Sequence, residues 1–372
     1  MKYQILIIGP TPPPFHGVSI MTQYLIESYL RDTFKICFLD ISDRRKLSNL
    51  GQLDFRNISL AFYHFFKFIK IFLINNPKVI YIPVSQSFWG YIRDLFFLIP
   101  SRIFNKKILI HLHGSAFDDF YNSMNFLLKI ITNYIFNGKV WGIVLGKKLK
   151  NCFNNLIQEK KIFVIPNGIK PIMIRCEHYT NNQKEAKNIR ILYLSNLRIS
   201  KGFFSLLTII PAIIKNHPNV HFTFAGEKTN NLDIQKANSF IYQNDLVKYI
   251  DMSGIVIGQE KEMLLLNSDI FVFPPIEKEG QPLVILEAMA AGLPIISSNI
   301  GTINEMIING KNGFLISVGD SDALLKSISI LIENKNLREK MGKESKKIFE
   351  NFYSVEKWKR EMQHTFNKVL SA

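Results

Sequence analysis

The chain alternates between short apolar strings and longer segments with helical spacing. Gln4–Ile8, Val79–Val84, Ile108–His113, Val140–Leu145 and Ile162–Ile165 form one set of strings. Ile191–Leu194, His221–Ala225, Ile250–Met252, Ile270–Phe273, Ile295–Ser297 and Phe314–Ile316 form a second. They are nearly continuous runs of Ile, Leu, Val and Phe, as expected of strands covered on both faces. Most are separated by enough chain for a crossover helix, so the pattern predicts an α/β protein with parallel sheets. Two sets imply two sheets. The break falls over 168–189, where Asn181-Asn182-Gln183-Lys184-Glu185 keeps no sustained period. The predicted domains are 1–170 and 188–352. The segment 353–372 reads as an amphipathic helix with Trp358, Met362, Phe366 and Val369 on its apolar side.

A length of 372 residues suits two such domains. The three cysteines, Cys37, Cys152 and Cys176, are widely spaced and contain no CxxC, which argues against a disulfide framework and a cysteine-rich zinc site and fits a reducing compartment. Charge changes the picture more. Residues 1–170 hold 22 basic and 9 acidic side chains, +13 of the chain's net +16. A lysine-rich bias alone would spread evenly, so the first half is expected to face something anionic: a membrane, nucleic acid or a phosphorylated substrate. Ile5–Ile8 is too short for a signal-peptide core. No run reaches the roughly 18 uninterrupted apolar residues of a spanning helix; the nearest, 58–74, is broken by His64, Lys67 and Lys70. Ten of the thirty Phe lie between 55 and 104, interleaved with Lys67, Lys70, Lys78, Arg93 and Arg102. That mixture fits a surface lying on a bilayer, with an ordinary aromatic core as the alternative.

In open parallel sheets ligands bind beyond the carboxyl ends of the strands. The segments there are Gly9-Pro10 to His16-Gly17, His113-Gly114, Ser195-Asn196-Leu197-Arg198-Ile199-Ser200-Lys201-Gly202, Ser253-Gly254, and Pro274 to Glu279-Gly280. The most informative runs from Glu279-Gly280-Gln281-Pro282 to Glu287, then Ala288 to Pro294. Pro282 suits a helix start and Gly292 its end. The helix N-terminus then offers free N–H groups and a positive dipole to a phosphate, with Glu279 beside it for neutral hydroxyls. Glu287 lies further along a strongly apolar helix, where a carboxylate needs a reason. Lys201 and Arg198 suit a pyrophosphate, Arg as a fork and Lys as a point charge; a solvated basic loop is the plain alternative. His111 and His113 share one strand face and are either cleft-facing or structural. Asp320-Ser321-Asp322 reads as a helix cap. Gly17 would let a ligand approach the backbone closely. The chain has no GxGxxG after its first strand and no GxxxxGK[ST], GxSxG or HExxH, which speaks against dinucleotide oxidoreductases, P-loop NTPases, serine hydrolases and zincins.

With these residues laid out, the chain resembles the retaining GT-B glycosyltransferases of family four, the group 1 type. The resemblance is strongest over 190–320: Ser268 to Pro274, Glu279 to Glu287, Ala288 to Ile296, then Gly301, Glu305 and Asn312-Gly313. It implies two facing Rossmann-like domains with the last helix crossing back onto the first. Lys201 would hold the donor phosphates. Glu279 would touch the transferred sugar, with the backbone of Gly280, Gln281 and Leu283 near the pyrophosphate. Glu287 would bind the ribose, and Gly254 to Ile257, including Val256, would lie near the base. Gly17 would sit at the donor–acceptor junction and His113 would border the acceptor. Two departures stand out. Asn196 occupies the place of a family arginine, which Arg198 is the candidate to replace, and Gln281-Pro282 replaces a Phe-Gly, removing one N–H from the phosphate turn.

The resulting expectation is a hexosyltransferase that uses a nucleotide-diphosphate sugar without metal or cofactor. Its acceptor is expected to be a saccharide or lipid-linked saccharide in bacterial surface polysaccharide or lipopolysaccharide assembly. The protein is expected to be cytoplasmic and peripheral on the inner membrane face. A sugar-nucleotide epimerase or phosphorylase is the alternative enzyme. Nucleic-acid binding is disfavoured because the motifs cluster in the nearly neutral half.

Overall fold

The computed structural model describes residues 4–28, 30–45, 55–153, 155–172 and 188–372. It divides into two compact units, Met1–Gly168 with Val355–Ala372, and Ile169–Ser354. Residues 173–187, most of the segment expected to link the domains and the position of Cys176, lie outside the described residues.

The first unit is built on β1 (Gln4–Gly9), β2 (Lys35–Asp40), β3 (Val79–Pro83), β4 (Lys107–Leu112), β5 (Val140–Val144) and β6 (Ile162–Val164), in the order β2-β1-β3-β4-β5-β6. The second is built on β7 (Ile189–Leu194), β8 (Val220–Ala225), β9 (Ile250–Gly254), β10 (Ile270–Phe273), β11 (Ile295–Ser298) and β12 (Gly313–Ile316), in the order β12-β11-β10-β7-β8-β9. Neighbouring strands in both sheets run parallel. Every residue of β3, β5, β10 and β11 is buried, which is why these strands read as unbroken apolar strings. The strand missed from the sequence is β2. It is the edge strand beside β1, only Leu39 of it is buried, and its short Ile36–Leu39 run sits between charges.

The two orders place a topological switch point between β1 and β3 in one unit and between β7 and β10 in the other. There the connections leave in opposite directions and a crevice opens at the carboxyl ends. The last helix, Val355–Ser371, packs into the first unit through Trp358, Met362, Phe366 and Val369, the four residues its periodicity singled out. Phe366 meets the rings of Phe34 and Tyr81, and Lys107 Nζ donates to the Leu370 carbonyl at 2.8 Å. Each of those buried side chains is worth about 1.5–3 kcal/mol of transfer free energy.

The helix Phe55–Asn75 departs from expectation. It is one 21-residue element, long and apolar enough by length and composition to cross a membrane. His64, Phe68 and Phe72 face inward, the two phenylalanines within the first unit's core, while Phe55, Phe62, Tyr63, Phe66, Leu73 and Ile74 are exposed. Its aromatic residues are therefore only partly core.

Candidate functional site

In the second unit, β7 ends at Leu194 and the chain turns through Ser195–Gly202 before the helix Phe203–Asn216. Tyr193, buried in β7, donates its hydroxyl to the Lys201 carbonyl at 3.1 Å and props this turn from below. Gly202 ends the turn at φ +80°, where a Cβ would stand 1.8 Å from the Pro274 carbonyl oxygen. Only glycine fits there, and its fit presses the Lys201 turn against the segment leaving β10. The Ile276 N–H donates to the Ser200 carbonyl at 3.0 Å, joining the same two segments.

That second segment carries Glu279. Gly301, at φ +58°, would place a Cβ 2.0 Å from the Glu279 carbonyl oxygen, and the buried Thr302 hydroxyl donates to the Gly280 carbonyl. The loop is thus fixed from both sides. The helix that follows runs Leu283–Ala290 with Pro282 at its N-cap and no side chain capping it; the Ile285 N–H donates to the Pro282 carbonyl at 3.2 Å, and the N–H groups of Leu283 and Val284 precede the first intrahelical bond. Pro282 sits one place earlier than a first-turn proline, and Gly292 closes the far end at φ +76°.

The switch point brings Lys201 and Glu279, 78 residues apart in sequence, into an ion pair: Lys201 Nζ donates to Glu279 Oε1. The Glu279 side chain is 13% exposed. Burial raises its pKa and the Lys201 ammonium pulls the other way, leaving it above the ordinary carboxylate range. Glu287, on the next helix, pairs instead with Lys261 of the helix Gly258–Leu266, Nζ to Oε1 at 2.6 Å. Its Oε2 is buried, and no donor among the described residues reaches it.

The other expected positions divide. Gly254 ends β9 at φ +74°, its carbonyl accepts from the Gly226 N–H at 2.7 Å, and Val256 beyond it is buried. Gln281 is buried beside Gly280, and Leu283 is the first residue of the helix. Asn196 contributes its carbonyl, which accepts from the Arg198 N–H at 2.8 Å. The Arg198 guanidinium turns to Thr229, Nε to Oγ1 at 3.0 Å, rather than joining the Lys201–Glu279 pair. Tyr193, Lys261 and Thr302 were missed from the sequence, and Gly301 stood there only as part of the resemblance, with no role at the site. Lys261 lies in a Gln-Glu-Lys-Glu run that reads as a solvated face, and the other three act through contacts between distant segments.

Gly17 and His113 belong to the first unit. Gly17 opens the helix Gly17–Ile26, where a Cβ would meet no atom within 4 Å. His16 caps that helix, its Nδ1 accepting from the Ser19 N–H at 3.4 Å. His113, just past β4, stacks on His111 with ring centroids 3.9 Å apart. Tyr81 Oη lies 2.7 Å from His111 Nδ1, while Nε2 of both histidines is buried with no partner among the described residues. Desolvation drops His113 to about 3 and His16 to about 4, and holds His111 well below the usual histidine range. Asp320 caps the helix Ser321–Glu333, its carboxylate accepting from the Ala323 N–H at 2.8 Å, as its sequence position implied.

Two doubly wound α/β units, the second presenting a lysine–glutamate pair and an open helix start at its switch point, form the architecture of a GT-B glycosyltransferase. Residues 177–348 match the family of glycosyl transferases group 1. The chain is similar to the group 1 glycosyltransferases over that stretch, which lies within the second unit and makes up just under half of the chain's length. It is 28% identical over 243 residues to the capsular polysaccharide biosynthesis glycosyltransferase CapM of Staphylococcus aureus, a match spanning 61% of each chain. An uncharacterized glycosyltransferase of Methanocaldococcus jannaschii is 25% identical over 287 residues, 74% of this chain and 72% of that one. Among solved structures, Anabaena HepE in complex with UDP and glucose superposes with a TM-score of 0.76 at 18% identity, covering 98% of this chain and 99% of that one.

Proposed function

We propose that the protein transfers a hexose-type sugar, with retention of anomeric configuration, from a nucleotide-diphosphate sugar to a saccharide or lipid-linked saccharide acceptor in surface polysaccharide or lipopolysaccharide assembly. The observation that carries this is the Lys201–Glu279 pair, held by Gly202 and Gly301 beside the start of the helix Leu283–Ala290. A nucleoside diphosphate leaves readily once its charge is neutralised. The Lys201 ammonium and the helix N-terminus supply positive charge where negative charge develops, with no call on a metal ion. Once the diphosphate takes Lys201, the Glu279 carboxylate is released to accept hydroxyls of the sugar. The leaving phosphate then takes the acceptor's proton as the new glycosidic bond forms on the same face. His113 borders the acceptor as a neutral imidazole. The names of CapM and of the UDP- and glucose-bound HepE support the reading. The test is a thermal-shift screen over UDP-, GDP-, ADP- and TDP-sugars. One class should raise stability by about 2.7 kcal/mol at 100 times its dissociation constant; no response to any of them would remove the proposal. Product analysis without acceptor separates transfer from epimerisation.

We further infer that the first unit lies on an anionic bilayer. The helices Phe55–Asn75, Phe88–Ile103 and Phe126–Phe136 pack side by side, through Phe62 and Phe65 on Phe96 and through Tyr91 on Thr132. Their outer surface exposes Phe55 (87%), Phe66 (68%), Phe126 (80%), Leu127 and Ile130. Among the three helices the single carboxylate is Asp94, buried and paired with Arg93. Lys67, Lys70, Arg102 and Lys129 surround the apolar side chains, Lys67 over the Tyr63 ring and Arg102 over the Tyr134 ring. Aromatic side chains among cations, without carboxylates, suit anionic headgroups over acyl chains. The inward packing of Phe68 and Phe72 makes the long helix lie on the bilayer rather than cross it. Flotation should show binding to phosphatidylglycerol vesicles that is lost in Phe62→Ser/Phe66→Ser. Equal binding to neutral vesicles, or a dimer through this face that binds no vesicle, would overturn it.

A further inference from the structure

We infer that Lys261 is a positioning residue for the nucleotide's ribose: it clamps one oxygen of Glu287 so that the other is presented to a ribose hydroxyl. This rests on the reading of the second unit as a nucleotide-sugar site. The helix Gly258–Leu266 is the crossover that carries the chain from β9 at the sheet edge back to β10, and so it passes the carboxyl ends of the strands. Lys261 lies in the first turns of that crossover, three residues past Gly258. Its ammonium reaches Glu287 Oε1 at 2.6 Å, spanning 26 residues of sequence.

Three features separate this pair from an ordinary surface salt bridge. It is largely sheltered, with the Lys261 and Glu287 side chains 26% and 16% exposed. It is divided, because Oε1 is engaged while Oε2 is buried with no donor in reach among the described residues. A buried acceptor without a donor is costly in a native fold, so its persistence calls for a partner from outside the chain. Finally, the carboxylate stands on the helix whose N-terminus follows Glu279 and Gly280, the turn at which a diphosphate would rest. A group that must meet Oε2 there is a hydroxyl donor, and the sugar of a nucleotide supplies one. Without Lys261 the carboxylate can turn about its terminal torsion, and neither oxygen is fixed in the direction of the hydroxyl.

The same pair has a second effect. It ties the turn Gly254–Ile257, which leads into the crossover, to the helix Leu283–Ala290, so the distance between the turn and the ribose carboxylate is set by one ion pair. Discrimination between ribonucleotides and deoxynucleotides is then a property of Lys261 and Glu287 jointly.

The test is isothermal titration of the full chain with UDP, GDP and ADP, each against its 2′-deoxy and 3′-deoxy counterpart. The wild type should prefer the ribonucleotide by about tenfold, the worth of one well-placed hydrogen bond of about 1.4 kcal/mol. Lys261→Met keeps the stem and removes the charge. It should lower ribonucleotide affinity and bring the preference near unity, leaving deoxynucleotide affinity within about threefold. Lys261→Arg should restore the preference, and Glu287→Gln should lose it. A merely structural role would weaken both nucleotides alike. A wild-type preference that survives Lys261→Met overturns the role of Lys261 and leaves the ribose reading of Glu287 standing. A wild type without any preference removes that reading and this inference together. Circular dichroism of each variant, with Lys261→Arg as the folded control, guards against loss of fold.

Discussion

Replacing Lys201 by Met removes one charge and little volume, and the structure says what each readout should do. Glu279 would be left in its fixed loop, 13% exposed, without its cation. Breaking a fully buried pair costs about 3–5 kcal/mol. Lys201 is itself 31% exposed, so solvent screens part of that loss and the expected cost is on the order of 1–2 kcal/mol at neutral pH. The sign with pH follows. Burial already holds the Glu279 carboxyl above its ordinary range, and losing Lys201 raises it further. A carboxyl whose folded pKa is raised penalises the native state at high pH, and the penalty fades as pH falls through that pKa. The deficit of Lys201→Met should therefore be present at pH 7.5 and mostly gone by pH 4.5. Lys201→Met/Glu279→Gln should recover stability at neutral pH. Catalysis should behave differently. A positive charge on the departing diphosphate is worth about 2.7–4 kcal/mol, so turnover should fall on the order of 100- to 1000-fold and return neither at low pH nor in the double variant. Urea denaturation at the two pH values, together with steady-state transfer measured by release of nucleoside diphosphate, gives both numbers. Turnover of Lys201→Met within about threefold of wild type would refute the role of the cation. A stability deficit that does not change with pH would refute the account of Glu279.

Gly301→Ala should abolish most transfer while the chain still folds, because its Cβ would press 2.0 Å from the Glu279 carbonyl and displace that residue; a circular dichroism spectrum like wild type with unchanged kcat would contradict this. Acid should loosen the first unit. His113 falls to about 3 and His16 to about 4 in the fold against about 6.5 unfolded, so their neutral forms contribute stability that is complete above pH 6.5 and lost as pH drops toward those values. At pH 5 each should have cost about 2 kcal/mol, and His113→Asn should flatten the pH dependence of urea midpoints by about that amount. Glu287→Ala should raise the nucleotide-sugar KM with a smaller effect on kcat, since the ribose is bound alike in ground and transition states.

The apolar strings of β1, β3 to β5 and the second-unit strands are legible because burial on both faces leaves one solution for a run such as Ile-Leu-Ile-Ile. The helix start at Leu283, the cap at Asp320 and the inward face of Val355–Ser371 follow from local rules of the same kind. Those rules act within a few residues, and so they hold before any tertiary contact is known. They fail at β2, where a half-exposed edge leaves only four apolar positions between charges. They fail also at the helix Phe55–Asn75, because a helix with aromatic residues on its exposed as well as its buried side does not state which side meets the core. The pairing of Lys201 with Glu279 and of Lys261 with Glu287 was settled by the order of strands around β7 and β10, together with the backbone contacts at Gly202 and Gly301. Strand order is a matter of pairing between distant segments, and a parallel sheet can bring the ends of any two of its neighbours together. The sequence thus supplied the charged groups and the turns that carry them, and the sheet topology chose which of them would meet.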